Sequence, residues 1–271
     1  MQDILTAGFR ELGLTPPPGA IDTLCQYSEL LLEQNKVMNL TAITQPEQVA
    51  RLHFLDSAAV LAWGDRAGLE PAPTEGLVAD TTWLAGKSLI DVGTGAGFPG
   101  LVLKILEPSL RLTLADSLGK RVNFLQTVCD ALHLTGAEAV HARAEEFAAS
   151  HRAGFDIVTT RAEELSLEVP YRDGFDVATS RAVAAFPALC ELCLPFVKVG
   201  GQFIAMKSVD SAAEVQAGEK AVKTLGGRLS APVDYPVPGA GVTHRLVVVD
   251  KVFPTPRGYP RSWGKIKKAP L

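Results

Sequence analysis

The sequence predicts an α/β protein, a mostly parallel sheet with helices on both faces. Three observations lead there. From Ser88 onward, short apolar runs alternate with amphipathic stretches of helical spacing. The apolar runs are about strand length and are bounded by glycine, proline and polar residues. The first of them ends directly in a glycine-rich loop, at the place where doubly wound sheets hold their ligands. Strands alternating with helices imply buried parallel pairing, and the handedness of crossover connections makes a doubly wound topology the default.

Residues 1–63 read as a helical region ahead of that sheet. Pro16-Pro17-Pro18-Gly19 interrupts the chain, after which Ile21, Leu24, Cys25, Leu31 and Leu32 fall on one helical face. Asn39-Leu40-Thr41-Ala42-Ile43 is a turn, and Pro46 to Trp63 is a second helical stretch with Val49, Leu52, Leu55, Ala59 and Val60 inward. Residues 64–86, rich in Pro, Ala, Gly and Thr, are expected to link it to a sheet domain spanning 87–252.

Within that domain the expected strands are Ser88–Val92, Leu110–Ala115, Ala137–His141, Phe175–Ser180, Gln202–Lys207, Leu229–Tyr235 and His244–Val249. Helices are expected at Leu101–Leu106, Gly119–Leu132, Ala182–Val197 and Ala212–Leu225. One stretch is repeated. Phe155-Asp156-Ile157-Val158-Thr159-Thr160-Arg161-Ala162 recurs as Phe175-Asp176-Val177-Ala178-Thr179-Ser180-Arg181-Ala182, and Arg143-Ala144-Glu145-Glu146 recurs as Arg161-Ala162-Glu163-Glu164. Two copies are too few for a solenoid, so this is a local tandem duplication. Residues 147–171 are then an insertion.

Composition narrows the class. Hydrophobic residues make up 47% and charged residues 21%, ordinary for a soluble globular protein. No uninterrupted apolar run is long enough for a membrane span, and Met1-Gln2-Asp3 opens without a basic, then apolar, leader, so no secretion is expected. Cys25, Cys129, Cys190 and Cys193 sit in apolar helical segments, a pattern of reduced, buried thiols. Net charge is −4, but residues 253–271 form a basic tail. From Lys251 to Leu271 there are six basic residues, Lys251, Arg257, Arg261, Lys265, Lys267 and Lys268, and no acidic one, whereas the first 250 residues carry 20 basic against 30 acidic side chains. A cationic tail on an acidic body suits contact with phosphates, or is a solvated end.

Asp91-Val92-Gly93-Thr94-Gly95-Ala96-Gly97-Phe98-Pro99-Gly100 is the chemically informative segment. Glycines let the backbone pass close to a ligand and take positive φ without a Cβ clash. Asp116 ends the next strand, 19 residues past Gly97, placed to accept hydrogen bonds from ribose hydroxyls. Gly95-x-Gly97-x-x-Gly100 also satisfies the dinucleotide fingerprint, so glycines alone leave a nicotinamide cofactor open. Asp91 directly before them favours S-adenosylmethionine, because a carboxylate suits its cationic amino group and repels pyrophosphate.

Several further motifs join this loop: Asn39–Ile43, His53-Phe54-Leu55-Asp56-Ser57, Asp116-Ser117-Leu118-Gly119-Lys120-Arg121, Ala144-Glu145, Thr179-Ser180-Arg181-Ala182-Val183, Ala205-Met206-Lys207 and Tyr259-Pro260-Arg261. In this order, from about Gln34 to the C-terminus, the chain resembles the RsmG (GidB) family. That resemblance implies a Rossmann-like class I S-adenosylmethionine-dependent methyltransferase fold, a seven-stranded sheet with an N-terminal helical extension, in a cytoplasmic protein. It implies methyl transfer to N7 of guanine 527 in 16S rRNA, as free RNA or small ribosomal subunit, with no metal and no membrane partner. Carried over by motif, Gly93 and Phe98 would contact the cofactor, Asp116 the ribose, and Ala144 and Glu145 the adenine. Arg181 would close the site from the fourth strand. Arg181 is chosen over Arg161 because only the second copy continues into Ala-Val and the following helix.

Guanine N7 carries a free lone pair, so no residue is assigned as acid or base, and alignment of the reactants is the enzyme's main work. Arg181 and Lys207 are the expected positioning groups, near a phosphate or guanine O6. His53, His133, His141, His151 and His244 are scattered and read as surface or packing residues. Cys190-Glu191-Leu192-Cys193 has the CxxC form but lacks a second pair. The rival readings are a nicotinamide oxidoreductase and an RNA-binding assembly factor that has lost catalysis through the duplication.

Overall fold

A computed structural model of the chain describes residues 1–63, 81–141, 171–181 and 183–271. Residues 64–80 of the expected linker and 147–170 of the expected insertion lie outside the described residues, as do Ala144, Glu145, His151 and Arg161, while Thr81–Leu84 forms a short 3-10 turn.

Two helices open the chain, α1 (Gln2–Glu11) and α2 (Ala20–Met38), separated by the proline run. A continuous helical stretch follows, from α3 (Pro46–Val49) through a wider π-helical turn at Ala50–Leu55 into α4 (Asp56–Trp63). The sheet begins with β1 (Ser88–Val92) and alternates with α5 (Gly100–Leu106), β2 (Arg111–Asp116), α6 (Gly119–Ala131) and β3 (Ala137–His141). After the undescribed stretch come β4 (Phe175–Arg181), α7 (Phe186–Cys193), β5 (Val197–Ser208), α8 (Ala212–Ala217) and α9 (Glu219–Thr224). The chain closes with β6 (Gly227–Leu229), β7 (Val233–Pro236), β8 (Thr243–Lys251) and α10 (Trp263–Lys268).

The strand order is β3-β2-β1-β4-β5-β8-β6, with β7 also on β8. The first five strands in this order pair in parallel, and β8 is antiparallel to β5. The order reverses between β1 and β4, so the loop after β1 opens at the topological switch point. Alternating side chains feed two cores. Leu89, Leu112, Leu114 and Val177 pack on one side with α1, α2, α4, α5 and α6, through residues such as Phe9, Leu24 and Phe54. Ile90, Val92, Ala115 and Ala178 pack on the other with Phe186, Leu189 and Ile266. The N-terminal helices therefore share a core with the sheet.

Three element boundaries differ from expectation. The run expected as one strand, Leu229–Tyr235, is two: β6 pairs with Lys251–Val249 and β7 with Leu246–Thr243, so the seventh sheet position is shared by two short strands. The helix expected from Ala182 starts at Phe186, because Pro187 suits a first helical turn, and it gives way to β5 already at Val197. The helix expected over Ala212–Leu225 breaks at Gly218, where a Cβ would stand 2.4 Å from Phe186. Among the described residues no helix is long and apolar enough to cross a membrane.

Candidate cofactor and RNA site

The glycine loop is held from three sides. Asp91, fully buried at the end of β1, accepts hydrogen bonds at Oδ2 from Thr94 Oγ1 (2.7 Å) and from the Gly100 amide that starts α5 (2.9 Å). Asp116, buried at the end of β2, accepts at Oδ2 from the Gly95 amide (2.9 Å) and at Oδ1 from Leu118 N (2.9 Å). From α2, the Tyr27 hydroxyl donates to the Ala96 carbonyl. Gly93, Gly95 and Gly97 all have positive φ, at 69°, 62° and 106°. A Cβ on Gly93 would lie 2.4 Å from Val183 and one on Gly97 2.5 Å from the Tyr27 hydroxyl, whereas one on Gly95 would meet nothing within 4 Å. The loop's open side is therefore at Gly95.

Burial pushes the Asp91 carboxyl up to about 6, against the Thr94 and Gly100 bonds that favour its charge. Its Oδ1 is buried beside Thr179 Oγ1 on the register-paired residue of β4, whose hydroxyl favours the carboxylate's charge, and neither atom has a further partner among the described residues. A buried carboxylate oxygen so sparsely partnered, beside an open glycine loop, fits a cationic amino group. Asp116 retains capacity too, since each carboxylate oxygen can accept more than one hydrogen bond.

Phe98 turns its ring into the N-terminal helices. It stacks on His53 (4.4 Å between centroids) and packs near Tyr27 (5.5 Å), with the Arg181 guanidinium 4.9 Å above it. Arg181 Nη1 donates to the Leu52 carbonyl and to Asp56 Oδ2 (3.1 Å each), and Nη2 lies 3.1 Å from His53 Nδ1. His53 Nδ1 stands between the Arg181 guanidinium, which can only donate to it, and the Leu52 carbonyl (3.2 Å), which can only accept from it, while Nε2 lies 2.8 Å from Thr41 Oγ1. Burial first, then Arg181, lowers the His53 pKa to about 3, so the ring stays neutral. Asp56 is almost fully buried, and its Oδ1 accepts from the Tyr235 hydroxyl (2.8 Å) and from His244 Nδ1 (2.7 Å). Burial opposes its charge, but the His244 bond and Arg181 hold the carboxyl below its ordinary range.

The structure thus brings Gly93, Phe98, Asp116 and Arg181 around one loop at the carboxyl edge. Lys207 lies near it but is engaged, donating to the Ala184 carbonyl (2.9 Å) and to Glu214 (2.6 Å), which also takes the Phe186 amide. It pins the 183–186 segment whose Val183 covers Gly93. Asp56, His53, His244, Tyr235 and Tyr27 were not singled out as site residues by sequence reasoning. One signal was available: Asp56 lies within an apolar helical stretch, where a carboxylate needs partners.

Elsewhere two expectations change. Lys251, the last residue of β8, is buried and donates to Leu194 O and Thr255 Oγ1, and burial lowers its pKa to about 8. Arg261 makes a bidentate pair with fully buried Glu191 (2.8 and 2.6 Å). Neither is free for a phosphate; Arg257, Lys265, Lys267 and Lys268 are exposed. Cys190 and Cys193 are buried in α7, where burial pushes both thiols up and leaves them unreactive.

Comparison with known proteins places this geometry. A family model described as rRNA small subunit methyltransferase G matches residues 75–168 and 164–234, and the two matches meet within the repeated stretch. The ribosomal RNA small subunit methyltransferase G of Alkaliphilus oremlandii is 39% identical over 272 residues, covering 100% of this chain and 99% of that protein. That of Symbiobacterium thermophilum is 39% identical over 270 residues, covering 99% and 97%. A crystal structure of MtNAS in complex with MTA and tNA superposes with a TM-score of 0.50 at 12% identity, over 85% of this chain and 73% of that one, a likeness of fold alone. Matched by that family model over most of its length and by relatives 39% identical across nearly the whole chain, the chain belongs to the rRNA small subunit methyltransferase G family.

Proposed function

We propose that this protein transfers the methyl group of S-adenosylmethionine to N7 of guanine 527 in 16S rRNA of the small ribosomal subunit. The observation that carries this reading is identity of 39% to methyltransferases of that name across the entire chain, together with the loop that Asp91 and Asp116 shape. Asp91 would face the cofactor's amino group, Gly95 would let it approach the backbone, Gly93 would let Val183 close over the loop at its contact with the cofactor, and Asp116 would meet the ribose. Phe98 would bound the site from the helical side, and Ala144 and Glu145 would flank the adenine. When bound, the cofactor supplies an activated methyl group on a sulfonium leaving group.

The chain's own residues need neither remove nor supply a proton, because N7 is a free lone pair. Their task is alignment. Arg181 serves it as a positioning residue, tying Leu52, His53 and Asp56 to the Phe98 face of the loop. Lys207 serves it by fixing Ala184, next to the Val183 that caps Gly93. The decisive experiment maps N7-methylguanine in 16S rRNA from cells lacking this gene. Loss of the modification at position 527, restored by the gene, is expected; an unchanged modification there sinks the reading.

A further inference from the structure

We propose that His244, seated on the buried carboxylate of Asp56, is an RNA-binding residue that pairs with a phosphate oxygen of the strand carrying the target base. The proposal rests on the reading that the substrate is RNA. His244 lies near the start of β8, at the edge where β1 and β4 end, and its side chain is 32% exposed against 3% for Asp56. A charged carboxylate only accepts, so Nδ1, 2.7 Å from Asp56 Oδ1, carries a hydrogen. Tyr235 donates to the same oxygen and stands edge-on to the imidazole at 6.3 Å, which fixes the ring plane. Nε2 has no hydrogen-bond partner among the described residues and is not among their buried unpartnered atoms, so it opens to solvent.

The groups facing this ring decide its charge. Asp56 comes from α4, Arg181 from β4 and Tyr235 from β7. On β5 its register partner is Ser208, and neighbouring Lys207 is spent on Glu214. Arg245, next in β8, is spent on Asp234. The hydrogen bond to Asp56 raises the His244 pKa above its ordinary value, against burial and Arg181. An imidazolium with its second N–H directed outward makes a charge-assisted bond to phosphate. Arg181 and Lys207, the cations first expected to make such a contact, have donors committed to the protein. His244 is also close to the chemistry: Asp56 holds it with one oxygen and, with the other, the Arg181 that covers Phe98.

The test measures methyl transfer, and separately direct binding of a 16S rRNA fragment by anisotropy, from about pH 6 to about pH 8.5, across the histidine range. The proteins are the wild type and His244→Gln, which keeps an N–H for Asp56 and carries no charge. Wild-type RNA affinity should fall as pH rises and the imidazolium is lost. At the acid end the variant should bind about tenfold more weakly, the size of one lost hydrogen bond to a charged group; at the alkaline end the two should converge. Affinity for S-adenosylhomocysteine should not change. The His244 imidazole, followed by NMR in the wild type, should titrate at higher pH once RNA is added. A variant that keeps the wild-type pH dependence, an unmoved His244 titration, or a loss of S-adenosylhomocysteine affinity each overturns the proposal. If pH-dependent RNA binding follows His244 but no methyl group is transferred, the functional reading fails and this one stands.

Discussion

The two ends of the sheet use the same kinds of buried charge to opposite purpose. At the amino ends of the parallel strands, cations are matched to protein oxygens. Lys251 is bound by Leu194 O and Thr255 Oγ1, and Arg172 by the carbonyls of Tyr259, Thr255 and Pro256. Arg261, behind the sheet, is matched to both oxygens of Glu191. At the carboxyl ends something is left over among the described residues: Asp91 Oδ1 has only the neighbouring Thr179, a Cβ on Gly95 would meet nothing within 4 Å, and His244 Nε2 has no partner. Saturated charge is scaffold. Unsaturated charge, held rigid by saturated neighbours, is where a ligand can be bound.

That contrast is broken most severely at Gly93. Gly93→Val should abolish S-adenosylhomocysteine binding by calorimetry, because the new side chain meets Val183 at a φ of 69° that β-branched residues avoid. Gly95→Ala sharpens the point: its Cβ meets no protein atom, so any loss of affinity beyond backbone strain reports the ligand's own space.

At the opposite end, Arg261→Ala should leave cofactor affinity intact and lower stability by about 3 kcal/mol, since it strips a buried carboxylate of its partner. Urea unfolding checks this. A loss below about 0.5 kcal/mol would place the pair among ordinary surface ion pairs.

A smaller effect is expected from pH. Asp91 has its folded pKa raised to about 6, so it is charged above that value and protonated below it. Cofactor affinity should therefore fall as pH drops through about 6, read by calorimetry on either side. His53 acts on stability alone: its contribution is present above 6.5 and lost as pH falls toward 3. It is opposed in part by Asp91, whose raised pKa adds stability as pH falls through about 6, so melting curves read the sum of the two.

The smallest effect belongs to the tail. Neutralising Arg257, Lys265, Lys267 and Lys268 should flatten the salt dependence of RNA binding by at most about 0.9 per lost phosphate contact, with cofactor affinity unchanged. An unaltered slope would make these four residues a solvated end.

Much of this was legible because it is local. Strand β1, the glycine loop and Asp116 follow from short continuous apolar runs, glycine and chain direction, all encoded within about thirty residues. The strand boundaries failed where long-range pairing decided them. Nothing in Leu229–Tyr235 says that β8 will accept two short strands instead of one. At Gly218, where the helix breaks, the Phe186 ring, far away in sequence, occupies the place a Cβ would take, so only glycine fits there.

By itself the sequence determined the α/β class, the ligand loop and, through its ordered motifs, the family. Only the tertiary structure decided which charged residues are spent and which are free. Arg181 and Lys207 were expected to meet RNA, yet their donors serve Asp56 and Glu214, while His244, expected to be a bystander, keeps one nitrogen open. The physical reason is that a side chain's type sets what it can donate or accept, but whether that capacity remains depends on partners up to 188 positions away in the chain.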